Sequence, residues 1–234
     1  MIHTHISETQ EENEQIRGRT GLSPTQWLER LGVFQQPVLA AHSIHLSPQD
    51  LDIYRRYGVH ASYNPVSNMK LASGIMPYQE MKRQGIQISL GTDGAQSNNS
   101  MDILRDLREG VLLQKVFASD ATVFSSREAV RMVTIEGAKA LGMDRELGSI
   151  ETGKLADLIV LDPRSPRLTP LHRTDRNNLY GSVVYSAYGG DVRDVMVEGE
   201  WLVRDKSVLS FDEEEVLRHG QSASSYLVEH AFQG

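Results

Sequence analysis

Four short apolar runs, each leading into a polar group at its C-terminal end, constrain this chain more than any other feature. Met1 to Ile6 carries His5, Pro37 to His42 ends on His42, Gly58 to Tyr63 leads into Asn64, and Ile86 to Gly91 leads into Asp93. The second run is apolar on both faces through Val38-Leu39-Ala40-Ala41, as a parallel strand covered on each side must be. The ends at His42, Asn64 and Asp93 lie about 20 to 30 residues apart, the length of one βα unit of a barrel that needs about 250 residues for eight. Four such units fit here, and the first strand begins without a lead-in. The spacing therefore predicts an α/β fold, half of a (β/α)8 (TIM) barrel whose first half is absent.

Helix signals fill the gaps. Ser23-Pro24 and Ser47-Pro48 each place a capping hydroxyl before a proline at the first helical position. A longer helix is expected from about Met101 to Phe117, with Leu104, Leu107 and Val111 on one side, and Ser125 with Glu128 forms a capping box for the next. Beyond Gly142 the sequence turns to strands, Asp157 to Asp162, Val192 to Val197 and Trp201 to Val203, the last two flanking a hairpin at Glu198-Gly199-Glu200. Glu213, Glu214 and Glu215 then suit the first turn of a terminal helix. The expected division is a partial barrel over residues 1–146 and part of a small β-sandwich with a terminal helix over 147–234.

Composition removes several classes of function. The chain has 234 residues and a net charge of -7, which disfavours nucleic acid and anionic membrane surfaces because both require a basic face. Cysteine is absent, so disulfides, thiolate metal sites and deaminases built on a Pro-Cys-x-x-Cys pair are excluded. No apolar run approaches the roughly 18 residues needed to span a bilayer, and no signal-peptide pattern opens the chain. The cytoplasm is the expected compartment, and a small neutral or cationic molecule the expected ligand.

Imidazole and carboxylate at three strand ends are donors that a divalent zinc or iron ion selects, and strand tips are where barrel enzymes hold their chemistry. His5, His42 and Asp93 are thus candidates for one metal centre.

The segments His3-Thr4-His5-Ile6-Ser7-Glu8-Thr9, Ala41-His42-Ser43-Ile44-His45, Asn64-Pro65-Val66-Ser67-Asn68 and Gly91-Thr92-Asp93-Gly94-Ala95-Gln96-Ser97-Asn98-Asn99 resemble the second half of the amidohydrolase superfamily, in particular its methylthioadenosine and S-adenosylhomocysteine deaminase branch. Gly148 to Leu158 is similar to the entry into that superfamily's C-terminal sandwich. The resemblance implies the C-terminal half of a metal-dependent barrel, a purine nucleoside as substrate and one divalent metal, zinc or alternatively iron. It implies His5 and Asp93 as metal ligands, Glu8, His42 and Asp93 as catalytic residues, and Glu8, Asp93 and Ser97 as substrate contacts. Elementary chemistry agrees, since replacing a purine amino group at neutral pH requires an activated water, a base and an acid that protonates the ring.

The family's first strand brings a His-x-His pair to the metal, and this chain has no upstream strand to carry one. His3 and His5, two apart on a strand, point the same way and are the alternative source of that pair. A guanine deaminase or chlorotriazine-type amidohydrolase is an alternative of the same class. A noncatalytic half-barrel that self-associates into a homo-oligomer is the alternative of another. His60 reads as structural, Asn64-Pro65 as a turn, Asn98-Asn99 as a loop, and His172, His219 and His230 as solvated.

Overall fold

The computed structural model describes residues 1–231, so the last three residues of the expected 147–234 segment lie outside the description. Contacts divide the chain into two units, Met1–Lys154 with Pro163–Gly189, and Leu155–Asp162 with Gly190–Gly234.

The first unit is built on strands β1 (Ile2–Ile6), β2 (Val38–His42), β3 (His60–Tyr63) and β4 (Ile88–Leu90), hydrogen-bonded in that order. All three pairings are parallel, with Ile6 opposite His42, Ala41 opposite Ser62 and Tyr63 opposite Leu90. Parallel strands in sequential order bring all four C-terminal tips to one end of the sheet, and helices make the return crossings. These are α1 (Gln10–Thr20), α2 (Pro24–Arg30), α3 (Pro48–Tyr57), α4 (Pro65–Lys70) and α5 (Tyr78–Arg83), followed after β4 by α6 (Ala95–Asn98), α7 (Ile103–Ala118), α8 (Ser126–Met132), α9 (Ile135–Ala140) and α10 (Leu179–Tyr185).

Capping fixes where the helices begin. Ser23, Ser47 and Ser125 each form a reciprocal capping box, with Gln26, Asp50 and Glu128 respectively. Every residue of β2 is buried, and its small side chains Ala40 and Ala41 sit between packed layers. Tyr54 of α3, Tyr63, Met81 of α5, and Leu107 and Val111 of α7 complete the core around it. α10 packs on α7 and α8, so residues well past 146 join the first unit.

The second unit contains one antiparallel sheet in the order β5 (Leu158–Leu161), β6 (Val192–Val197), β7 (Glu200–Arg204) and β8 (Ser207–Val208). The β6–β7 hairpin turns on Glu198 at φ 51° and Gly199 at φ 86°, the paired left-handed conformations of a twist-matched two-residue turn. One sheet, rather than two facing sheets, is present among the described residues of this unit. Helix α11 (Glu213–His230) starts at an Asp212 cap with its three glutamates in the first turn. No described helix is long and apolar enough to cross a membrane.

Candidate metal centre

His5, His42 and Asp93 meet at the tips of the parallel strands, with one ligand atom from each lying within 4.8 Å of the others. His5 stands on β1 beside the tip of β2, and its ring approaches that of His42 edge-on at 4.9 Å between centroids. His42 is buried, Asp93 is partly buried and His5 is exposed on the edge strand.

The backbone leaves β1, β2 and β4 abruptly. Ser7 at φ 53°, His42 at φ 68°, Ser43 at φ 52° and Asp93 at φ 62° all occupy the left-handed region that residues with a side chain avoid. Such conformations cost on the order of 1–3 kcal/mol each and persist where surrounding bonds enforce them. Here the enforcing bonds are visible. Ser43 N donates to Ile6 O, and the amides of Ile44 and His45 both donate to Ser7 O. Gly94 N donates to Asp93 Oδ1 at 2.7 Å.

Helix α4 holds two of the three donors. Ser67 Oγ donates to Asp93 Oδ2 at 2.6 Å, and Asn68 Oδ1 accepts from His42 Nδ1 at 2.8 Å. With its hydrogen on Nδ1, His42 turns the lone pair of Nε2 toward Asp93 Oδ2 at 3.9 Å and Glu8 Oε2 at 3.6 Å. Burial raises the Asp93 carboxyl, but the Ser67 hydroxyl and the Gly94 amide, both donating to it, hold it below the usual carboxylate range.

Glu8 follows β1 and faces the same space. Its backbone is fixed by Glu12 of α1, whose carboxylate accepts from Ser7 N at 3.1 Å and from Glu8 N at 2.7 Å. Ser73 Oγ donates to Glu8 Oε1 at 3.2 Å.

These groups fit a divalent cation on their own chemistry. An imidazole lone pair and two carboxylates are acceptors that face one another, and a cation relieves that crowding of like dipoles and charges.

Ser97 lies in α6, beyond the Asp93 turn, and among the described residues no hydrogen bond joins its side chain to Glu8, His42 or Asp93. His3 is exposed on β1 and outside the donor cluster. Ser67, Asn68, Ser73 and Glu12 all support the site but were absent from the expected set. Only the Asn64-Pro65 start of α4, with proline at its first position, marks the helix that carries two of them, Ser67 and Asn68. A surface cavity of about 310 Å³ lies elsewhere, beside Ile86 and Ile88 at the start of β4, and its charges pair as Lys82 with Glu128 and Arg131 with Glu136.

Residues 1–202 match the model of the Amidohydrolase family. The chain is 42% identical over 228 residues to a 5-methylthioadenosine/S-adenosylhomocysteine deaminase of Desulforudis audaxviator, covering 97% of this chain and 52% of that protein. It is 40% identical over 227 residues to a 5'-deoxyadenosine deaminase of Methanosarcina mazei, again covering 97% of this chain and 51% of the relative. Its fold superposes on a zinc-bound adenosine deaminase from Xanthomonas campestris with a TM-score of 0.91 and 30% identity, over 97% of this chain and 51% of that one. The chain thus spans about half the length of the relatives it matches.

Proposed function

The chain belongs to the amidohydrolase family, and from that premise we propose that it supplies the C-terminal four βα units of a metal-dependent barrel that hydrolytically deaminates 5'-modified adenosines, releasing ammonia. Residues 1–146 are assigned to the barrel, to which Pro163–Gly189 pack, and the rest of 147–234 to the C-terminal segment, part of a small β-sandwich. The observation that carries this reading is the convergence of His5, His42 and Asp93 at one end of a parallel sheet, with Glu8 facing them.

His5 and Asp93 would hold the cation, zinc in the first place and ferrous iron through the same donors, and when bound it supplies a water that loses its proton at a pH of about 7. The protein's part is to position and move protons. Asp93, kept ionised by Ser67 and Gly94, accepts the proton of the attacking water. His42, its Nδ1 fixed by Asn68, presents the Nε2 lone pair to accept a hydrogen bond from that water and so orients it for attack. Glu8 donates a proton to the ring nitrogen, and the proton taken up by Asp93 passes to the amino group, whose C–N bond then breaks to release ammonia. Ser97 is assigned to the substrate-facing loop.

The test measures ammonia release from methylthioadenosine, S-adenosylhomocysteine, guanine and a chlorotriazine. It uses the chain itself and the chain fused behind the first half of the Desulforudis audaxviator relative. Release from the adenosine derivatives by the fusion, abolished by Glu8→Gln, is expected. A folded, zinc-loaded fusion that releases none, or a Glu8→Gln variant of full activity, contradicts the proposal.

One observation favours a second reading, a noncatalytic half-barrel that self-associates. β1 is the edge of its sheet, with Ile2 37% exposed on it and Met1, the residue before it, 60% exposed. Sedimentation showing a compact monomer counts against that reading.

A further inference from the structure

Glu8 is gripped from a distance in sequence that no local motif accounts for. Ser73, 65 residues along the chain, donates its hydroxyl to Glu8 Oε1, while Glu8 Oε2 is the oxygen nearer His42 Nε2. The serine is itself 7% exposed and sits in the connection between α4 and α5.

That connection is stapled across the sheet tips. His45 Nε2 lies 2.7 Å from the carbonyl oxygen of Ser73, and His45 is tied back by Asn13 Nδ2, which donates to its carbonyl at 2.6 Å. The next residue is Gly74 at φ 128°, where a Cβ would stand 2.8 Å from Ile44 Cγ2 and 3.3 Å from His45 Nε2. Only glycine allows the segment to approach that closely. The contacts form one chain: Asn13 to His45, His45 to Ser73, Ser73 to Glu8.

We propose that Ser73 is a positioning residue for Glu8, its hydroxyl occupying Oε1 so that Oε2 alone faces the reacting side. This rests on the reading of Glu8 as the acid. A carboxyl whose one oxygen already accepts a hydrogen bond has the other left to carry the proton that is transferred. In the transfer, the O–H bond at Oε2 breaks, an N–H bond forms on the ring, and the electron pair stays on Glu8 as carboxylate. His45 and Gly74 act one step further back, by fixing where Ser73 stands.

The experiment is carbon-13 NMR of the 234-residue chain with labelled glutamate side chains, at a fixed pH of about 7.5, set well above the ordinary carboxylate range. Glu12, which binds the backbone of Ser7 and Glu8, serves as internal reference. In Ser73→Ala the Glu8 carboxyl signal is expected to shift while that of Glu12 stays, and Ser73→Thr is expected to restore it. Gly74→Ala, which keeps the hydroxyl but displaces the segment, is expected to shift the same signal. An unmoved Glu8 signal in the folded Ser73→Ala chain overturns the proposal, as does a shift that the threonine fails to reverse. Glu8→Gln retaining deaminase activity would instead remove the acid role and leave the contact standing.

Discussion

Asn68 accepts a hydrogen bond from Nδ1 of His42 at 2.8 Å across 26 residues of sequence, and this contact decides which face of the imidazole meets the site. Both residues are buried, so neither exchanges this partner freely with solvent.

The first expectation concerns that tautomer. Nitrogen-15 spectra at neutral pH should show the His42 hydrogen on Nδ1 and the lone pair on Nε2. Asn68→Ala should remove this preference and destabilise the chain by about 1–3 kcal/mol through the unsatisfied imidazole. A hydrogen found on Nε2 in the parent chain would mean that the Asn68 amide is turned the other way, and that His42 cannot accept from a water.

Asp106 supplies a pH dependence. Its side chain is buried, Asn98 Nδ2 donates to Oδ2 at 2.8 Å, and Oδ1 has no hydrogen-bond partner among the described residues. Burial pushes the carboxyl up to about 7, further than the Asn98 amide draws it down. Because the folded value exceeds the ordinary 3.8, the folded chain binds more protons than the unfolded chain between the two. Stability from this group is therefore full below the lower value and falls as pH rises toward 7. Thermal unfolding measured from pH 4 to pH 8 should show this decline, and Asp106→Asn should flatten it. A decline that is identical in the variant would assign it to other groups.

A packing test separates two opposing effects. Gly110 lies within α7, where alanine is the better helix former by about 1 kcal/mol. A Cβ there would meet Tyr63 Cε1 at 2.9 Å and Pro65 Cγ at 3.0 Å. Overpacking a tight core costs about 1–3 kcal/mol, so Gly110→Ala should lower stability despite its helix propensity. Denaturant unfolding with an unchanged or raised midpoint would show that α7 can move away from α4.

The metal should be held weakly by the chain in isolation. His5 is exposed on an edge strand, and His5 and Asp93 supply two of the three protein ligands that a catalytic zinc normally has. After dialysis the chain should retain substoichiometric zinc and release no ammonia from methylthioadenosine. Stoichiometric metal together with turnover would show that these residues form a complete centre unaided.

The sequence reading was most secure where chemistry is local. Ser23, Ser47 and Ser125 announced three helix starts through residues only one to three positions away, and the α7 periodicity of Leu104, Leu107 and Val111 matched its buried face. Helix α1 gave no such signal, because Gln10–Thr20 has no apolar face and buries no residue. The convergence of His5, His42 and Asp93 was legible because parallel strands carry their ends to one side. Ser67, Asn68 and Ser73 were not, since their partners lie 26, 26 and 65 residues away and nothing at those positions marks the pairing. Asn64-Pro65, read as a turn, opens α4 instead, and that helix delivers both Ser67 and Asn68.

The most direct test of a shared cation at the strand tips is an NMR titration of the 234-residue chain with zinc, following the ring signals of His5 and His42 and the carboxyl signal of Asp93. All three are expected to move along one binding curve, however weak, and to stop responding in Asp93→Asn. Separate curves for His5 and Asp93, or a response confined to histidines such as His172 and His219, would contradict it.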